Sequence, residues 1–178
     1  MSRTAVFLDR DGVINRAVVR GGTPHPPASV EDLEILPSVP AALHALRELG
    51  YALIVVTNQP DVARGSASRA SVDAIHQRLS SELKLDAIFA CFHDDADECD
   101  CRKPKPGLLV RAAGDFGIDL SQSFMVGDRW RDVEAGRRAG CRTLFIDRGY
   151  QETAPPSCDY RVASLMEAAR LIAAQPHR

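Results

Sequence analysis

Asp9 and Asp11 stand two residues apart at the end of a short apolar run, Thr4-Ala-Val-Phe-Leu. In extended backbone that spacing aims both carboxylates toward the same side. Two close carboxylates repel, and a bound divalent cation is the simplest way to keep both ionised. Asp128 follows Gly127 at the end of another apolar run and can supply a third oxygen. Hard oxygen donors around an open site favour Mg2+. Taken singly, each aspartate is better explained as a cap on the turn that follows it, where Asp is common for local hydrogen-bonding reasons.

A second cluster lies in the middle of the chain. Cys91, His93, Cys99 and Cys101 offer three thiolates and one imidazole, the donor set of a structural zinc site. Pairs with one residue between them can aim two donors at one centre from a tight loop. Four protein ligands fill a tetrahedron and leave no position for substrate, so this spacing predicts a structural Zn2+. Its work would be to fold loop 91–101 and fix Arg102 and Lys103 beside it. The alternative is a set of reduced, buried cysteines with a surface histidine. Asp94, Asp95, Asp97, Glu98 and Asp100 read as a solvated, charged rim. Cys141, entering an apolar run, reads as core, and Cys158 carries no chemical signal. Five cysteines make a poor disulfide set, and the N-terminus lacks a basic-then-apolar leader, so a reducing, cytoplasmic setting is expected.

The elements that must position these groups follow one alternating pattern. With 178 residues, 45% of them hydrophobic and 26% charged, the chain suits one soluble domain over 1–178. A net charge of −2 offers no broad basic surface to nucleic acid. No apolar run approaches the roughly 20 residues of a membrane span. Residues 4–9, 51–56, 86–91, 123–127 and 142–146 read as buried strands, with a short extended piece near Tyr160. Between them, helical patterns run from Ser38 to Gly50, over 69–83, from Leu108 to Phe116 and to about Ala139. A last helix opens with Ser164 and Glu167, spaced as a capping box. Gly21, Gly22, Pro24, Pro26 and Pro27 argue against regular structure in 17–27. Strands separated by helices predict a doubly wound α/β fold, Rossmann-like, with a mostly parallel sheet covered on both faces. Ligands in such sheets bind beyond the carboxyl ends of the strands.

Read together, Asp9-Arg10-Asp11-Gly12-Val13, Thr57-Asn58, a lysine before the fourth strand and Gly127-Asp128 with Asp132 resemble the haloacid dehalogenase superfamily of phosphotransferases. The resemblance spans nearly the whole chain, with the motifs in order. It implies that Asp9 is the nucleophile of an aspartyl-phosphate intermediate and Asp11 the general acid and base. Thr57 and Asn58 would orient the phosphoryl group, and Lys103 would neutralise its charge. Asp9, the backbone carbonyl of Asp11, and Asp128 would hold Mg2+. Cys101-Arg-Lys-Pro-Lys-Pro-Gly107 and Thr57-Asn-Gln with Ala63-Arg-Gly65 resemble a zinc-loop branch of small-molecule phosphatases acting on heptose bisphosphates and histidinol phosphate. Pro60-Asp61 stands where the heptose members carry Ser-Gly, and Phe92 stands in place of a common proline.

That resemblance implies no large cap, which leaves specificity to loop 17–27, segment 58–65 with Gln59 and Arg64, the zinc loop, Arg102 and Arg129. Arginine grips phosphate with paired hydrogen bonds, so Arg64, Arg102 and Arg129 are candidates for a second phosphate; Arg20 reads as solvated. Lys105, the variable position of the motif, reads as exposed. His25, His44, His76 and His177 read as surface residues. Trp130 reads as packed on the sheet, with a place at the substrate's edge as the alternative. The expected partner is a small phosphorylated sugar, and the expected state a monomer.

Overall fold

The computed structural model describes residues 3–175, so His177 lies outside the described residues. Six parallel strands form one sheet: β1 (Ala5–Leu8), β4 (Ala52–Asn58), β5 (Ala87–Cys91), β6 (Phe124–Gly127), β7 (Arg142–Ile146) and β8 (Tyr160–Val162). Their spatial order is β5-β4-β1-β6-β7-β8. The chain winds outward from β1 through β4 to β5, then returns to lay β6 on the other side of β1. That reversal opens a crevice beyond the C-terminal end of β1, where Asp9 follows.

The strands form where the sequence is continuously apolar, because both faces are covered. Within β1, Val6 and Leu8 enter one core with α1 (Val39–Glu48), α2 (Arg69–Leu83) and α5 (Leu165–Ala173). Ala5 and Phe7 enter the other, under α3 (Gly107–Phe116) and α4 (Trp130–Ala139). β1 ends at Leu8, so Asp9 follows the strand directly and Asp11 lies beyond it. As expected, Cys141 is buried in the second core. Among the described residues, no helix is long and apolar enough to cross a membrane.

One local expectation is corrected. Segment 17–27 is not irregular: β2 (Val18–Arg20) and β3 (Thr23–His25) pair as an antiparallel hairpin. Its turn is Gly21-Gly22, both at positive φ, which only glycine adopts freely. α1 starts where expected, with Ser38 as its N-cap residue and Pro40 in the first turn, and Ser38 makes no side-chain capping bond. Ser164 does cap α5, accepting from the Glu167 amide at 3.2 Å. The Glu167 carboxylate reaches one residue further back than a standard box, to the Ala163 amide at 2.7 Å.

Candidate active site

Asp9, Asp11, Asn58, Lys103, Arg129 and Asp132 meet in a cleft of about 240 Å3 at the end of β1, β4 and β6. The hairpin forms one wall with Pro24 and His25, and Arg64, Arg102 and Arg131 stand at the other side. His25 is therefore a cleft residue, while His44 is exposed as expected.

Lys103 is the centre of the charge arrangement. Its side chain is buried, and Nζ donates to Asp9 Oδ1 at 2.7 Å, Asp132 Oδ1 at 2.6 Å and the Val56 carbonyl at 2.8 Å. Burial opposes the ammonium's charge, but Asp132 and Asp9 outweigh it and hold the lysine above its ordinary pKa. The Asn58 side chain clamps the lysine's peptide unit, donating to the Lys103 carbonyl and accepting from its amide, both at 3.0 Å. Asn58 thus fixes the lysine loop as well as lining the cleft. Asp132 also accepts from the Arg129 amide at 3.0 Å. Gly127 lets this packing happen, since a Cβ there would lie 2.1 Å from Asp132 Cβ.

The acids around Lys103 ask for a further cation. Burial first, and then Asp132, push the Asp9 carboxyl up to about 6 despite the opposing lysine. Asp128 is raised well above the usual carboxylate range by burial and by Asp9. Its Oδ1 is buried with no hydrogen-bond partner, while Oδ2 accepts from Tyr150 at 2.8 Å. Asp9, Asp128 and Asp132 bring one oxygen each within 4.8 Å of one another. An orphaned buried oxygen in an all-oxygen donor set fits a hard divalent cation. Both oxygens of Asp132 are taken, by Lys103 and by the Arg129 amide, whereas Asp9 gives Lys103 only Oδ1, so Asp9 Oδ2 and Asp128 Oδ1 are the free carboxylate positions.

Asp11 turns its carboxylate away from that cluster. It accepts from Arg10 Nη2 at 3.0 Å on each oxygen, from Asn15 at 2.9 Å and from Gln59 at 3.0 Å. Gln59 is buried rather than lining the cleft, and its amide also donates to the Thr57 hydroxyl at 2.9 Å. Thr57, at the end of β4, is buried beneath the same amide. A substrate-binding role for Gln59 is replaced by one of support for Asp11 and Thr57.

In the cysteine loop the four expected ligands converge. Cys91 Sγ lies 3.7 Å from Cys99 Sγ and 3.0 Å from Cys101 Sγ, which are 3.5 Å apart. His93 Nδ1 is 3.6 Å from Cys91 Sγ and 3.3 Å from Cys101 Sγ. Tetrahedral ligands at Zn–S distances of about 2.3 Å have edges of roughly 3.8 Å, so this set fits zinc with little movement. The cysteines are free of disulfides. Lys105 is not a freely solvated side chain: it donates to the carbonyls of Glu98 at 3.2 Å and Cys99 at 2.7 Å, closing the loop.

The rim acids likewise hold arginines. Arg64 pairs with Asp94 at 2.8 and 2.6 Å, while Asp95 takes Arg102 at 2.8 Å and Arg131 at 3.5 Å. Arg129 pairs with Glu152, its Nε donating at 2.9 Å. Arg64, Arg102 and Arg129 are therefore gathered at the cleft, each paired with an acid. Arg20 is exposed, as expected. Trp130 begins α4 half-buried, with the Arg131 guanidinium 4.8 Å from its ring centre, and lines a small pocket with Phe145 of β7 and Tyr150. Arg10, Asp132, Tyr150 and Glu152 complete the site without having been assigned places in it from the sequence. Asp132 had a signal, its position in the Gly127-Asp128 motif.

A model of the haloacid dehalogenase-like hydrolases matches residues 25–140, which include most of the residues around this crevice. The chain belongs to that family. It is 38% identical over 166 residues to the D-glycero-D-manno-heptose-1,7-bisphosphate 7-phosphatase of Thermosynechococcus vestitus, across 84% of this chain and 82% of the relative. The D-glycero-beta-D-manno-heptose-1,7-bisphosphate 7-phosphatase of Vibrio cholerae is 38% identical over 160 residues, 83% of each. Among solved structures, the D,D-heptose 1,7-bisphosphate phosphatase of B. bronchiseptica, in complex with magnesium and phosphate, superposes with a TM-score of 0.82. It shares 30% identity and covers 96% of this chain and 98% of that one.

Proposed function

We propose that this chain is a phosphomonoesterase that removes the 7-phosphate of D-glycero-D-manno-heptose 1,7-bisphosphate through an aspartyl-phosphate on Asp9. The observation that carries the reading is the buried Lys103 ammonium held 2.7 Å from Asp9 at the sheet's switch point. A carboxylate so placed can meet phosphorus in line while the lysine offsets the charge of the phosphoryl oxygens.

In the first step an Asp9 oxygen forms a bond to phosphorus and the bond from phosphorus to the sugar oxygen breaks. Protonated Asp11 gives its proton to that leaving oxygen. In the second, Asp11 takes a proton from water, whose oxygen attacks phosphorus and releases inorganic phosphate and the Asp9 carboxylate. Thr57 and the peptide held by Asn58 orient the group. Asp9, Asp128 and the Asp11 carbonyl would hold Mg2+, which supplies positive charge to the nucleophile and the phosphoryl group. Cys91, His93, Cys99 and Cys101 would hold Zn2+ in a closed structural site. Arg64, Arg102 and Arg129 are the cations for the phosphate that stays. A monomer in a reducing cytoplasm completes the reading.

The test compares kcat/KM for heptose 1,7-bisphosphate and histidinol phosphate in the presence of Mg2+. A large preference for the heptose supports the assignment. Preference for histidinol phosphate moves the chain to that activity, and turnover of neither overturns the assignment to both.

A further inference from the structure

Arg10 lies between the two catalytic aspartates and is fully buried, an unusual place for a guanidinium. Its Nη2 reaches both oxygens of Asp11 at 3.0 Å, and Nε reaches Oδ1 at 3.2 Å. The remaining arm, Nη1, lies 3.0 Å from Nε2 of His76. His76 comes from the middle of α2, beside Ile75 and one turn before Leu79, both buried in the core. The imidazole is thus carried by an element packed rigidly on the sheet.

A guanidinium has donors on every nitrogen and no acceptor, so Nε2 must be the accepting, unprotonated nitrogen. Burial, with the charge of Arg10, lowers the imidazole to about 4, which keeps it neutral and able to accept. The guanidinium is planar, so fixing one arm fixes the direction of the other two.

We propose that His76 and Arg10 are positioning residues, through which α2 sets the orientation of the Asp11 carboxylate for proton transfer to and from the substrate oxygen. This rests on Asp11 being the general acid and base. Without the His76 acceptor, a buried Nη1 donor is left unpaired and the fork turns to satisfy it. Asp11 then moves with the fork, and the site keeps its nucleophile and its phosphate-binding charges.

The effect should depend on the leaving group. A sugar oxygen needs a proton as it departs, whereas nitrophenolate departs as a stable anion. The experiment measures kcat/KM, which reports phosphoryl transfer to Asp9, for heptose 1,7-bisphosphate and for p-nitrophenyl phosphate. His76→Leu is expected to lose about tenfold on the sugar phosphate and less than about twofold on the aryl ester, the scale of a misplaced general acid. His76→Gln, whose Oε1 can accept from Nη1, should restore the sugar-phosphate value to within about threefold of wild type, since the lost acceptor is returned. His76→Asn, too short to reach Nη1, replaces the leucine variant if that does not fold.

Equal loss on both esters, or full activity in His76→Leu and His76→Asn, overturns the inference. Asp11→Asn, assayed in parallel, separates it from the underlying reading. If Asp11→Asn discriminates between the esters and the His76 variants do not, only the positioning role falls. If Asp11→Asn loses equally on both, the general-acid assignment falls and takes the positioning role with it.

Discussion

Tyr150 donates its phenolic hydrogen bond to Asp128 Oδ2 at 2.8 Å, while Oδ1 of the same buried carboxylate accepts nothing from the described residues. One oxygen is thereby fixed and the other left free for a cation. Tyr150 belongs to a loop that ties down several parts of the cleft at once. In it, Arg148 donates to the Gly12 carbonyl at 2.9 Å, the Gln151 amide to the Gly22 carbonyl at 2.9 Å, and Glu152 holds Arg129. Partners that orient a metal ligand are worth about 10–100-fold in metal affinity. Tyr150→Phe is expected to weaken Mg2+ by that order, read by calorimetric titration. An unchanged affinity would detach Tyr150 from metal binding.

Gly12 lies against the same oxygen that Tyr150 holds. Its φ is +87°, and a Cβ built there would lie 1.8 Å from Asp128 Oδ2. Gly12→Ala is therefore expected to lose about 1–2 kcal/mol from the left-handed backbone alone, with the clash in addition. Urea denaturation with and without Mg2+ reads both parts: the midpoint should fall, and the stabilisation gained from added Mg2+ should shrink.

Asp9→Asn keeps the shape of the nucleophile and removes its charge. Turnover of heptose bisphosphate should drop by at least about 10^4-fold, the scale seen when a nucleophile is removed. The acid-stable mass increase of a trapped phosphoenzyme should vanish with it. Activity that survives this substitution would exclude a covalent intermediate on Asp9.

Much of this site could be read from the chain. Buried parallel strands announce themselves as continuous apolar runs, and Asp9 and Asp128 follow two of them directly. The zinc donors are legible because their spacing is local. The β2–β3 hairpin was not, because its first strand, Val18–Arg20, is exposed on every residue and lacks the alternation that marks a half-buried strand. Tyr150 and Glu152 act on partners 22 and 23 residues away, across a loop with no periodicity. Arg10 and His76 are 66 residues apart, and a charged residue is expected at the surface until its partners are known. Gln59 looked like a ligand contact from its motif, and only packing reveals that it faces inward to Asp11.

The cysteine loop should carry one zinc per chain, measured by elemental analysis. Cys99→Ser removes one of four ligands and should lower that ratio well below one. The sheet has its own cores and should stay folded, but loop 91–101 loses its clasp. A loss of about 2 kcal/mol would lower Tm by roughly 4–8 °C in a chain of this size. Because Arg102 rests on Asp95 of that loop, KM for the bisphosphate should rise as well. Full zinc content in the variant would remove Cys99 from the ligand set.

His76 makes stability depend on pH in a defined window. Its folded value is lowered to about 4 from 6.5, by burial first and by Arg10 second. Below pH 6.5 the unfolded chain takes up a proton that the folded chain refuses until about pH 4. The unfolded state therefore binds more protons in that interval, and stability rises with pH across it and is lost as pH falls. The full effect of such a shift is about 3 kcal/mol, at 1.36 kcal/mol per unit. Asp9 and Asp128, raised by burial, contribute the opposite slope in both proteins, so the expected readout is a difference: from pH 7 to pH 4.5 the urea midpoint of the wild type should lose ground relative to that of His76→Gln. In His76→Gln, which keeps the bond to Arg10 without a titrating ring, this part of the slope should be absent. Equal slopes in the two proteins would mean that the ring is solvated enough to protonate freely, and that Nε2 is not held as the acceptor of a buried arginine.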